Sequence, residues 1–131
     1  MHKLTREIFI VLITATAVSA VIPANGKRPS ATYPKQILGV WEGGFAPCKL
    51  PGNLDSDSRI EIKPKQIDHY EEYSTPLSVV QISEEPLAWK IKSELDMGDE
   101  YFHNRFEIFI LGMHTLAIAN KHMTFIYTRC E

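Results

Sequence analysis

Trp89-Lys90-Ile91-Lys92-Ser93-Glu94-Leu95 is the stretch that decides the fold class. Apolar and charged side chains alternate there with a period of two, which sets Trp89, Ile91 and Leu95 on one face and Lys90, Lys92 and Glu94 on the other. A helix would wind both sets around its axis; an extended strand separates them, one face toward a core and one toward water. Outward from this stretch, short runs rich in β-branched and aromatic residues recur at a spacing of about ten, divided by Gly, Pro, Asn and Asp. They cover 37–43, 59–62, 66–70 and 77–82 upstream, and 102–111, 115–119 and 123–129 downstream. Gly112 and Asn120-Lys121 mark turns too short to hold a crossover helix, so neighbouring runs must be antiparallel. The pattern predicts an all-β domain of eight short antiparallel strands in an up-and-down meander. Closing them into a barrel leaves no unpaired strand edge. In the sixth run Phe106, Ile108 and Ile110 share one face, and Phe106 and Ile108 are expected to point inward. With Trp89, Ile91, Leu116, Ile118, Phe125 and Tyr127 they make a set bulky enough to fill an eight-stranded barrel.

The chain before the first run has a different character. Lys3 and Arg6 precede an apolar stretch that begins at Ile8 and continues to Val18, and Val18-Ser19-Ala20 supplies small residues at a cleavage position. Residues 1–20 therefore read as a signal peptide, cut after Ala20. The apolar stretch is shorter than the roughly 20 residues of a membrane span. Residues 21–36 hold Pro23, Gly26, Pro29, Ser30 and Pro34 with few apolar side chains, and are expected to form a disordered lead-in. Residues 37–131 remain for the barrel, enough for one small core and too few for two. A periplasmic or secreted protein with no membrane span after cleavage is expected. The 14 basic and 16 acidic side chains leave a formal charge of −2, which gives no electrostatic attraction to nucleic acid or to an anionic membrane surface.

Cys48 and Cys130 are the two cysteines of the chain, and an oxidising compartment makes a disulfide between them the expectation. Neither a Cys-x-x-Cys spacing nor a third cysteine points to a redox or metal pair. One cysteine follows the first run and the other ends the last. A bond between them requires Cα atoms within roughly 4.4–6.8 Å, so the first and last strands must adjoin.

Gly39-Val40-Trp41 in the first run resembles the Gly-x-Trp signature of the calycin group, which comprises lipocalins, avidins and small bacterial metalloprotease inhibitors. The resemblance implies a barrel whose floor is sealed by an arginine from the last strand lying over that tryptophan. Arg129 stands at the matching place. A guanidinium on an indole face contributes about 0.5–2 kcal/mol, and Gly39 lets the chain turn sharply beneath it. The resemblance also implies two ways of working. One is inhibition, with a terminal segment reaching into a protease cleft; the other is carriage of a small apolar ligand inside the barrel.

Catalytic patterns are missing: the sequence has no Gly-x-Ser-x-Gly elbow, no His-Glu-x-x-His and no glycine-rich phosphate loop. His103 and Glu107 share a strand face but stand roughly 13 Å apart along it. The adjacent pairs Glu71-Glu72, Glu84-Glu85 and Asp99-Glu100 point to opposite faces of extended chain, as solvated hairpin ends do. Asn53-x-Asp55-x-Asp57 imitates the start of a calcium loop, yet Ser58 replaces the sixth-position glycine and Pro64 the twelfth-position glutamate. His69, His103, His114 and His122 lack ligand-like neighbours. No catalytic residue, cofactor or metal is expected. A non-enzymatic binding protein follows, first as an inhibitor or immunity-type antagonist of another protein, since a filled barrel leaves no cup. A lipocalin-like carrier of a small apolar ligand is the alternative. The candidate partner-binding residues are Asn53, Asp55 and Asp57 in the first long loop, and His69, Tyr70, Glu72 and Tyr73, where tyrosines combine a large ring with a polar handle.

Overall fold

Eight antiparallel strands follow one another around a closed barrel in the computed structural model, which describes residues 31–99 and 103–131. They are β1 (Gly39–Gly43), β2 (Arg59–Lys63), β3 (Gln66–Asp68), β4 (Tyr73–Glu84), β5 (Leu87–Asp96), β6 (His103–Leu111), β7 (Thr115–Ala119) and β8 (Thr124–Arg129). Each pairs with the next, and β1 closes the ring on β8 through Trp41 opposite Arg129, Glu42 opposite Thr128 and Gly43 opposite Tyr127. The predicted meander, its antiparallel sense and its closure are all present. No helix among the described residues is long and apolar enough to cross a membrane. The expected signal peptide and residues 21–30 of the expected lead-in lie outside the described residues, as does Phe102.

The lower barrel is filled from the N-terminal side. Residues 31–36, read from the sequence as disordered, dock on the barrel instead: Tyr33 is buried, and Lys35–Ile37 form a single 3-10 turn that leads into the buried Ile37. Tyr33 donates its backbone N–H to the carbonyl of Pro64, and its ring lies 6.3 Å from that of Phe109. With Trp41, Ile62, Trp89 and Leu116 these side chains make one continuous core. Prolines at 29 and 34 signal irregular chain, but irregular chain is ordered wherever it carries an apolar side chain into a core, and Tyr33 and Ile37 do so.

Strand β5 buries Trp89, Ile91 and Leu95, the face that its alternation predicts. Strand β6 departs from expectation: Phe106, Ile108 and Ile110 are exposed, while Glu107 and Phe109 are buried. Cross-strand register gives the reason. Glu107 sits opposite Ile91 and Phe109 opposite Trp89, and directly opposed residues point to the same side of a sheet. A shift by one residue would have turned every side chain of β6 to the other face. Phe125 also differs; it has the inward parity of Tyr127 but stands at the open end, 44% exposed. The filled interior expected from the sequence is therefore absent from the upper half of the barrel.

Candidate functional site

An open cup of ≈ 500 Å³ occupies that upper half. Ile60, Ile67 and Ile118 form apolar walls, and Phe109 lies deep in it, above Tyr33. The mouth is made by the β3–β4 loop, by Met97 after β5, by the β7–β8 turn with Asn120 and Met123, and by Phe125. Tyr127 and Glu107 reach in from β8 and β6. Because β6 presents its odd-numbered residues inward, Arg105 and Glu107 bring charge into a space that Phe106 and Ile108 would otherwise have filled.

These charges form a small network. Arg105 donates to Glu72 at 3.2 Å, and its other terminal nitrogen stands 3.9 Å from Glu107, too far for a hydrogen bond. His69 shares a 3.0 Å hydrogen bond with the Ser74 hydroxyl. Burial lowers the proton affinity of the His69 ring, and Arg105 acts in the same direction against Glu72 and Asp68. Burial also pushes the Glu107 carboxyl up to about 7, with Arg105 opposing the rise and Glu72 adding to it. The Tyr127 phenol is pushed up to about 12, again by burial first and then by Glu107.

A carboxyl that holds its proton more tightly when folded stabilises the fold less as pH rises. The folded state binds more protons than the unfolded chain between about 4.5 and about 7, so stability falls through that window. Glu107→Gln, which keeps the shape and removes the charge, should therefore melt above the parent at pH 8. Its advantage should shrink toward pH 5, and the shift corresponds to at most about 3 kcal/mol. Melting curves of both proteins at the two pH values decide this; a gap that does not change with pH would place the charge of Glu107 in solvent.

The candidate residues from the sequence divide into three groups. Asp57, His69, Tyr70 and Glu72 all line the cup or its mouth. Tyr73, the first residue of β4, is exposed beside the mouth and does not line it. Asn53 and Asp55 lie on an exposed loop, where the Asn53 side chain accepts the backbone N–H of Asp55. That loop is fastened to the outer wall, since the hydroxyls of Ser56 and Ser58 donate to Glu42. Arg105 and Glu107 were missed, because nothing in one strand read alone sets two charged residues above a row of three apolar ones as the inner face.

At the opposite end, Arg129 covers Trp41 with its guanidinium carbon 4.1 Å from the indole centroid. Its two terminal nitrogens donate to the carbonyls of Leu38 at 2.9 Å and Gln36 at 2.7 Å, and the indole N–H donates to Ile37 at 2.9 Å. Gly39 has a φ of 127°, and a Cβ there would stand 3.3 Å from the Arg129 side chain, so the turn and the close approach both call for glycine. Cys48 and Cys130 are bonded, their Cα atoms 4.4 Å apart. The floor is thus tied by one cation–π contact, three hydrogen bonds and a disulfide close by. Comparison with protein-family models, curated proteins and solved structures returns no match. What stands is the coarser likeness: a closed eight-stranded antiparallel barrel, compatible with a calycin-like fold.

Proposed function

We propose that this is an exported, non-enzymatic binding protein that holds a small amphipathic molecule in the cup. The inversion of β6 carries this reading, because it removes Phe106 and Ile108 from the interior and with them the ground for preferring a protein partner over a small ligand. The volume of ≈ 500 Å³ falls in the range of small-molecule sites, and the lining has their usual make-up of apolar walls with a few convergent polar groups. A disulfide accords with an oxidising compartment outside the cytoplasm.

The neutral fluorophore N-phenyl-1-naphthylamine tests this reading. Its emission should rise on titration with protein and saturate at one probe per barrel. Ile118→Trp, which extends an indole into the cup, should weaken binding by roughly tenfold, about 1.4 kcal/mol. An unchanged affinity in this variant, with its melting curve intact, would put the probe elsewhere. One other observation supports a second reading, antagonism of a protein. Phe106, Ile108 and Ile110 form an exposed apolar stripe on the outer wall, with Lys92 over the Phe106 ring at 5.4 Å. A cup that takes up no probe would leave that stripe as the better candidate surface.

A further inference from the structure

We propose that the cup is selective for small organic cations, with a primary ammonium group seated against Glu107 and Glu72 and an apolar body along the isoleucine walls. This deepens the small-ligand reading and rests on it. The first ground is the charge of the lining. Among the described residues that line the cup, Asp57, Glu71, Glu72 and Glu107 are carboxylates, and Arg105 is the only lysine or arginine. The second is the position of Glu107, which is 8% exposed and lines the cup, where among the described residues no charge-neutralising contact is closer than Arg105 at 3.9 Å. Arg105 is itself held by Glu72 at 3.2 Å, so one guanidinium faces two carboxylates. An ammonium group satisfies the excess.

The opposite charge fits poorly. A ligand carboxylate seeking Arg105 would have to displace Glu72 or lie beside both glutamates, and like charges at such distances disfavour one another. A neutral alcohol can accept from Arg105 or donate to a glutamate, but leaves the excess charge uncompensated in a low-dielectric space. The apolar part of such a cation also has surface to meet. The charged cluster is bounded by Phe109 below and by Ile60, Ile67 and Ile118 at the sides, so an ammonium at Glu107 has apolar surface for its chain.

Selectivity of this kind has a pH signature. Among the described residues, the groups that face Glu107 are Arg105 on its own strand, Glu72 from the β3–β4 loop, Tyr33 from below and Tyr127 from β8. Both tyrosines are pushed up from their ordinary range by burial and by Glu107 itself, so they stay neutral through pH 8. His69 is held low and is neutral near pH 7. Glu107 is therefore the group that changes charge as pH passes about 7, and an arriving cation displaces its proton. Affinity for a cation should rise with pH there, and affinity for a neutral analogue should not.

Three eight-carbon probes separate the outcomes by calorimetric titration of the full mature protein: octylammonium, octanol and octanoate. Octylammonium is expected to bind at least roughly tenfold tighter than octanol at pH 8, with octanoate weakest. Its affinity should fall by more than roughly tenfold at pH 5.5, while that of octanol stays level. Glu107→Gln should abolish both the preference for octylammonium over octanol and its pH dependence. Should that variant fail to fold, the ranking and pH dependence in the parent protein decide alone. Octanol binding as tightly as octylammonium would overturn the cation selectivity and leave the small-ligand cup standing. Failure of all three probes, together with the naphthylamine, would overturn both.

Discussion

Replacing Cys48 and Cys130 together by serine should lower stability by about 4–5 kcal/mol, the largest single loss expected from this fold. The bond closes a loop of 82 residues, and in the chain-entropy model a loop of that size leaves the unfolded chain far less freedom than an open one has. The cross-link also sits where two segments without a strand of their own meet. Glu131 donates its N–H to the Cys48 carbonyl at 3.1 Å, and Leu50 donates to the Glu131 carbonyl at 3.3 Å. Releasing the bond frees the first long loop and the end of the chain together. Chemical denaturation of the double variant beside the oxidised parent reads the difference as a shift of midpoint at similar slope. A loss under about 1 kcal/mol would show that strand pairing between β1 and β8 closes the barrel unaided, against the entropic account.

Arg129→Ala should cost about 2–4 kcal/mol, second to the disulfide. Stacking on Trp41 contributes about 0.5–2 kcal/mol, and each hydrogen bond from a charged donor about 1.5–3 kcal/mol before the alanine variant lets water reach the same carbonyls. Leu38 and Gln36 would lose their partners, and the Trp41 ring, now fully buried, would gain an exposed face. Lys121→Ala, on the exposed β7–β8 turn, is the matched control and should stay within about 0.5 kcal/mol of the parent. Thermal melts of both variants measure the contrast. Equal effects would mean that the guanidinium over Trp41 adds nothing to the floor.

Both losses concern the closed end of the barrel, and neither should alter what the cup holds. The Glu107 variant concerns the open end and should do the reverse: gain stability above pH 7 and lose selectivity. A buried carboxyl kept at the expense of stability, in a cavity with a mouth, is a common mark of a binding site. The two ends of the barrel thus divide the work, with packing and cross-links below and charge above.

Much of the closed end was legible in the sequence. Strict alternation in β5, short turns and two cysteines placed beyond the first and last strands determine an antiparallel meander whose ends must meet. Alternation and turns act locally, through the period of a strand, and the disulfide, though it spans 82 residues, is announced by two cysteines alone. The charged cluster in the cup was not legible. In β6 both faces carry apolar residues, Phe106, Ile108 and Ile110 against Phe109 and Leu111, and the larger set points the wrong way. Only pairing with β5, which sets Glu107 opposite Ile91, decides which face is inside. Tyr33 was hidden for a related reason: a lone aromatic in irregular chain has no period, and its burial depends on the barrel that receives it. Local periodicity determined the strands and two cysteines their closure into a barrel; strand register and the docking of the N-terminal segment decided that the barrel has a charged cup, because both depend on contacts between residues far apart that no residue type announces.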